Sequence, residues 1–222
     1  MVTIKREIIT QNPLVRRLLY ITGIRRPMVP HGVGMTYYQK NSAWDLGKDG
    51  CSCDLELVEY LKESKIEDKS IFHFGTGIHH IVGLENQKLD RPNEILGITA
   101  SAIEHQAYIQ LVFKDTSLAK YYKVIFVDIY TLTDKILPKL DIATLFHLCE
   151  FYLPENAPMI HQNDESLLQL VIEKLHPDGK IIFYTGSFTW SKAQPIVQAC
   201  EASGKIKQID RYKSLLIYAK LP

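Results

Sequence analysis

SIFHFGTGIHHIVGLEN, residues 70–86, decides how this chain is read. It has the form of a strand that turns through two glycines into a helix. Gly75 and Gly77 let the backbone take positive φ and approach a ligand closely, while the next helix offers unpaired N–H groups. A structural strand-to-helix turn gives the same G-x-G, so position adds the weight: open parallel sheets bind ligands at the carboxyl ends of their strands. What this turn does with His73, His79 and His80 is the question it raises.

Beyond Ser70 the rhythm is regular. Apolar runs occur at SIFHFG, EILGIT, KVIFVD, LDIATLF and GKIIFYTG, each followed by a segment that can be helical. That alternation predicts a parallel sheet with helices on both faces, and the nearly continuous apolar character of the runs fits strands buried on both sides. The ending differs. KIKQID and SLLIYAK are separated only by RYK, too short for a crossover helix, so the sheet is expected to close with an antiparallel hairpin. The fold class is therefore α/β: a Rossmann-like, mostly parallel sheet with a closing antiparallel β-hairpin and an N-terminal helical cap.

The cap is read from residues 1–69, with 70–222 as the Rossmann domain. Before Ser70 lie NPLVRRLLYITGI, a short helix by pattern, then a Pro- and Gly-dense stretch that breaks regular structure. DLELVEYLKESK comes next, with Leu55, Val58 and Leu61 on one face and acids early, as a helix amino terminus prefers. Tyr37, Tyr38 and Trp44 are expected either to wall a small substrate or to pack on the sheet edge. With 26 Lys and Arg against 25 Asp and Glu, a net charge of +1, the chain has no field to draw in a polyanion, so nucleic acid is not an expected partner. Lys5, Arg6, Arg16, Arg17, Arg25 and Arg26 face only Glu7 locally. They read as a solvated face, with docking of a protein partner or an anion as the alternative. No apolar stretch is long enough for a membrane span and the start lacks a signal-peptide core, so no membrane is expected and the location is expected to be cytoplasmic. Cys51, Cys53, Cys149 and Cys200 read as free thiols, and no metal site is expected.

From Ser70 on, the motifs resemble those of the class I S-adenosylmethionine-dependent methyltransferases, as a divergent member. HFGTGIH is similar to their first motif, ILGITAS to the second strand, VIFVDIY to the third, and LDIATLFHLCEFY to the fourth strand with the segment after it. LLQLVIEKLHPDGKIIFYTG resembles the helix, turn and fifth strand, and the hairpin matches the reversed last strand. The resemblance implies methyl transfer from S-adenosylmethionine, with S-adenosylhomocysteine as product. It implies that Phe74, Gly75, Thr76 and Gly77 border the methionine part, and that Thr99 and Ala100 stand at the ribose. Asp128 would accept from the adenine amino group with Ile129 beside the ring. Phe146 and His147 would lie under the methyl donor, and His147 is the candidate catalytic base. A plain N-cap is the alternative for Asp128 and core packing for Phe146.

The departures are as informative. His73 stands where the family's first acid is, His79 at its third glycine, and Thr99 in place of the acid that takes the ribose hydroxyls. Threonine makes one hydrogen bond where a carboxylate makes a charge-assisted pair, so weakened cofactor affinity is expected. His79→Gly with Thr99→Asp is accordingly expected to tighten binding if the site has lapsed. Two function classes result: methyl transfer to a small-molecule substrate, or a catalytically lapsed binding or scaffold module. A nicotinamide-dependent dehydrogenase comes third.

Overall fold

The computed structural model describes Leu14, Leu18 and residues 52–222. The expectations for the basic amino-terminal residues, for Tyr37, Tyr38 and Trp44, and for Cys51 lie outside the described residues. Leu14 and Leu18 are helical and exposed.

Seven strands form one sheet: β1 (Ser70–Phe74), β2 (Glu94–Thr99), β3 (Tyr122–Phe126), β4 (Leu140–Thr144), β5 (Leu175–Tyr184), β6 (Ile206–Tyr212) and β7 (Leu215–Lys220). Their order is β3-β2-β1-β4-β5-β7-β6. β1 to β5 pair in parallel, and β7 runs antiparallel to both β5 and β6. The five parallel runs and the closing hairpin thus occur as the sequence predicts, and the hairpin turns on Lys213 and Ser214 alone. Two boundaries differ. β3 stops at Phe126, so Asp128 lies two residues past the strand rather than at its end. β5 begins at Leu175, where the sequence pattern places a turn: Leu175 pairs with Leu140 before the register shifts, and Asp178 takes a positive φ of 63° inside the strand.

Alternation along the strands sorts side chains into two cores. Phe72, Phe74, Ala143, Ile181, Phe183 and Leu216 meet α5 (Asp164–Lys174) and α6 (Trp190–Ala202) on one face. Ile71, Ile95, Ile142, Ile182 and Ile217 meet α1 (Ser52–Glu63), α2 (Ile81–Asn86) and α4 (Leu118–Tyr121) on the other, where α3 (Ala102–Lys114) also packs. α1 buries Leu57, Val58, Tyr60 and Leu61, while Leu55 of the predicted face is only partly covered. The helix is fastened to the hairpin: Glu56 accepts from the backbone N–H of Ser214 at 3.0 Å and from its hydroxyl at 2.7 Å, and Glu59 pairs with Lys213. No helix among the described residues is long and apolar enough to cross a membrane.

Strand order reverses between β1 and β4, so the glycine turn after β1 opens at the topological switch point of the sheet. The helix that leaves this turn packs hard against β3, because Gly83 of α2 sits under the ring of Tyr122, which is fully buried. A Cβ at Gly83 would overlap that ring. Alanine normally favours a helix over glycine by about 1 kcal/mol. Here Gly83→Ala should instead destabilise by about 1–3 kcal/mol through overpacking, measured by urea unfolding; a neutral or stabilised variant would contradict this packing.

Candidate functional site

Gly75 and Gly77 both take positive φ, 88° and 58°, as the turn requires. Each also leaves room for a ring. A Cβ on Gly75 would lie 2.5 Å from Cδ2 of His147, and one on Gly77 would lie 2.5 Å from Nε2 of His79. The space over the turn is therefore shared with two histidines of the chain itself.

The three histidines of the opening stretch divide their labour. His73, fully buried near the end of β1, places Nδ1 2.8 Å from the Thr144 hydroxyl, and its Nε2 is 3.5 Å from Asp54 Oδ1. Burial, with the neighbouring histidines, lowers its pKa to about 3, so the ring is neutral. His79 accepts the Ile81 N–H on Nδ1 at 3.2 Å and brings Nε2 to 3.7 Å from Asp54 Oδ2. His80 turns the other way. It sits at φ 47° before α2, fully buried, with Nε2 donating to the Glu104 carbonyl at 2.7 Å and Nδ1 accepting from the Tyr122 hydroxyl at 2.9 Å.

Of the three, only His79 lines the cavity that lies at the carboxyl ends of the parallel strands; His73 and His80 are buried behind it. Phe74, Gly75 and Gly77 reach its wall from the turn, Thr99 and Ala100 from the end of β2, Asp128 and Ile129 from beyond β3, and His147 from beyond β4. Thr76 and Phe146 do not. Thr76 packs its methyl toward Gly97, and Phe146 is buried in the core with His73 and Tyr184 beside it. The alternation of faces accounts for Phe146: Leu145 before it joins one core and Phe146 the other, leaving His147 to reach the mouth.

Asp128 does two things with its two oxygens. Oδ1 accepts the Tyr130 N–H at 2.9 Å and caps the short 3-10 turn Ile129–Thr131. Oδ2 is buried with no hydrogen-bond partner among the described residues, and desolvation raises the carboxyl pKa. An acceptor so placed, in a cavity wall, is open to a donor from water or from a ligand.

Three acids of the site were not singled out from the sequence. Asp54, in the first turn of α1, is 2% exposed and faces both His73 and His79. Glu104, in the first turn of α3, accepts from the Thr99 hydroxyl at 2.6 Å. Glu150 meets His147 Nδ1 at 3.1 Å and accepts from Ser187 at 2.8 Å. A carboxylate only accepts, so the proton of neutral His147 rides on Nδ1 and Nε2 is the basic nitrogen. The wall thus carries Asp54, Glu104, Asp128 and Glu150, and no Lys or Arg among the described residues.

No protein-family model and no curated protein sequence matches this chain. Solved structures do. The [4+2]-cyclase SpnF aligns over 92% of this chain and 70% of its own, at 16% identity and a TM-score of 0.50. A candidate rRNA-methylase from Clostridium thermocellum aligns over 75% and 94%, at 11% identity and 0.52. A candidate S-adenosyl-L-methionine-dependent methyltransferase from Methanococcus maripaludis aligns over 74% and 83%, at 10% identity and 0.52. The likeness is one of fold: the sheet is the Rossmann-like sheet of the class I methyltransferases.

The buried His80 makes stability depend on pH. Desolvation lowers its pKa from 6.5 to about 4 against the opposing Glu104 carbonyl bond. The unfolded chain takes up this proton near pH 6.5 and the folded chain refuses it until about 4, so stability is lost as pH falls through that window. The loss from this one group is roughly 3 kcal/mol. Urea midpoints at pH 7, 5.5 and 4 should show it, and His80→Gln, which cannot charge, should have the shallower pH slope.

Proposed function

We propose that this chain binds S-adenosylmethionine and transfers its methyl group to a small-molecule acceptor. The observation that carries the reading is the charge of the cavity wall: four carboxyl groups and no Lys or Arg among the described residues suit a cationic ligand and disfavour one bearing phosphates. That weighs against a nicotinamide dinucleotide. When bound, S-adenosylmethionine supplies a methyl group on a positively charged sulfur, open to in-line displacement. On this reading Asp128 Oδ2 accepts from the adenine amino group, with Ile129 beside the ring. His147 stands at the mouth, edge-on to Phe74, with Glu150 holding its tautomer and orientation. It takes a proton from an acceptor that must lose one as it is methylated, which contributes typically about 10²–10⁴-fold where proton transfer is needed. Phe74, Phe151, Tyr184 and Phe188 give the mouth an apolar lining that favours a small, partly apolar acceptor over a polyanion.

A second reading, a binding module without transfer, is favoured by the rings of His79 and His147 over the glycine turn. The fold admits other chemistry, as the name of SpnF records.

Calorimetric titration with S-adenosylmethionine and S-adenosylhomocysteine tests the first reading. Micromolar binding is expected, and Asp128→Ala should weaken it by about 1–3 kcal/mol through loss of a charged hydrogen-bond partner. Absence of binding at millimolar ligand would overturn the proposal. On the second reading His79→Gly should bind S-adenosylhomocysteine more tightly than the parent, because the shrunken side chain clears the turn; on the first it should bind no better.

A further inference from the structure

The end of β2 lacks a charge where nucleoside-binding α/β sheets keep an acid for the ribose. Thr99 stands there, and its single proton goes to Glu104 Oε2 at 2.6 Å while its oxygen accepts the Ser101 N–H at 3.0 Å. The second of these bonds redirects Glu104. Ser101-Ala-Ile-Glu104 reads S-x-x-E, a capping box in which the glutamate ordinarily reaches back to the N–H of the capping residue. Ser101 does its part, accepting the Glu104 N–H at 3.3 Å. The reciprocal N–H is taken by Thr99 instead, so the Glu104 carboxylate turns toward Thr99 and, at 3.5 Å, the hydroxyl of Thr76, and forms part of the cavity wall. It is 6% exposed, and its place in the first turn of α3 favours its negative charge.

A second observation places a ligand beside it. β2 and β3 are neighbours with Thr99 paired to Phe126, so Asp128, with its buried and unpartnered Oδ2, comes two residues beyond the partner of Thr99. Two carboxyl groups beside adjacent strand ends, Glu104 from the first turn of α3 and Asp128 from two residues past β3, match the two polar ends of a nucleoside, the base and the diol. We infer that Glu104 binds the 2′,3′-diol of the adenosine moiety, so that the charge missing from the strand end is supplied from the helix. This rests on the reading that an adenosine-containing ligand occupies the cavity. A carboxylate accepts more than one hydrogen bond on each oxygen, so Glu104 can take a hydroxyl of the diol beside the Thr99 proton, in a bond that is charge-assisted.

The same geometry bears on Thr99→Asp taken alone. An aspartate there would set a second carboxylate against Glu104 and remove the proton that joins the two residues, so it weakens binding rather than restoring it.

The test measures dissociation constants by calorimetry for S-adenosylhomocysteine and its 2′-deoxy analogue. The parent should prefer the full diol by about tenfold or more, the scale of one charge-assisted hydrogen bond. Glu104→Gln should bind S-adenosylhomocysteine about ten- to a hundredfold more weakly and lose the preference between the two ligands. Thr99→Asp should also bind more weakly than the parent. Equal parental affinity for both ligands, or Glu104→Gln binding as tightly as the parent, overturns the inference while leaving the adenosine reading intact, provided Asp128→Ala still loses affinity. A parent that binds neither ligand overturns both. If Glu104→Gln fails to fold by thermal melting, the parent's own preference between the two ligands decides.

Discussion

His80 is the pin on which the site is hung. Its ring, out of reach of water, donates to the carbonyl of Glu104 in α3 and accepts from the hydroxyl of Tyr122 in β3, while its own backbone adopts the left-handed conformation that ends the turn after β1. That conformation costs a non-glycine residue roughly 1–2 kcal/mol. The two buried hydrogen bonds offset the cost and hold three elements in one arrangement. Because His80 points down into the core, its neighbour His79 is sent over Gly77 and toward Asp54. The neutral ring with its proton on Nε2 satisfies both partners, and it is the burial of that ring, working against the Glu104 carbonyl bond, that disfavours the charged form.

The distribution of charge obeys a consistent rule. The carboxyl ends of β1, β2 and β4 present His73, Thr99 and Thr144, none of which carries a negative charge. Acids arrive from the surroundings: Asp54 from α1, Glu104 from α3, Glu150 from the segment after β4, and Asp128 from beyond β3. Glu104 and Glu150 are each met by a hydroxyl or an imidazole, which is what makes burial of a carboxyl group tolerable, while Asp54 faces the imidazoles of His73 and His79 at 3.5 and 3.7 Å. Of the four, Asp128 is the one with an oxygen left unanswered among the described residues.

How much of this could be read beforehand depends on the range of the interaction. The sheet was legible because strand runs, glycine turns and a three-residue link between KIKQID and SLLIYAK are local features. The strand-end residues of the site were legible for the same reason, since a parallel sheet delivers them to one edge. Asp54 was not: nothing local distinguishes it from any acid in a first helical turn, and only the packing of α1 on the sheet brings it to His73. Glu104 had a signal in S-x-x-E, but that pattern announces a cap, and the capture of the Ser101 N–H by Thr99 is a tertiary detail. Phe146 does not line the cavity, because the strand's alternation continues past its last paired residue and turns that ring into the core, the alternative its place in the sequence also allowed.

The bond between Glu56 and Ser214 has a consequence for the life of the chain. These residues are 158 apart in sequence, and the helix they fasten is the one that carries Asp54. During synthesis the first parallel strands can pair, the glycine turn can form and α1 can pack on α2 while the hairpin is still inside the ribosome, but the clasp between α1 and the hairpin cannot close until Ser214 emerges. The fastening of this helix to the hairpin is therefore among the last contacts to form, although it holds one of the first described segments to be made. Long-range closure of this kind slows folding because the entropy of bringing distant segments together is spent before their contacts form. Until then the helix that carries Asp54 rests on its apolar face and on the Lys62–Glu85 pair, without the polar clasp that Glu56 and Glu59 supply.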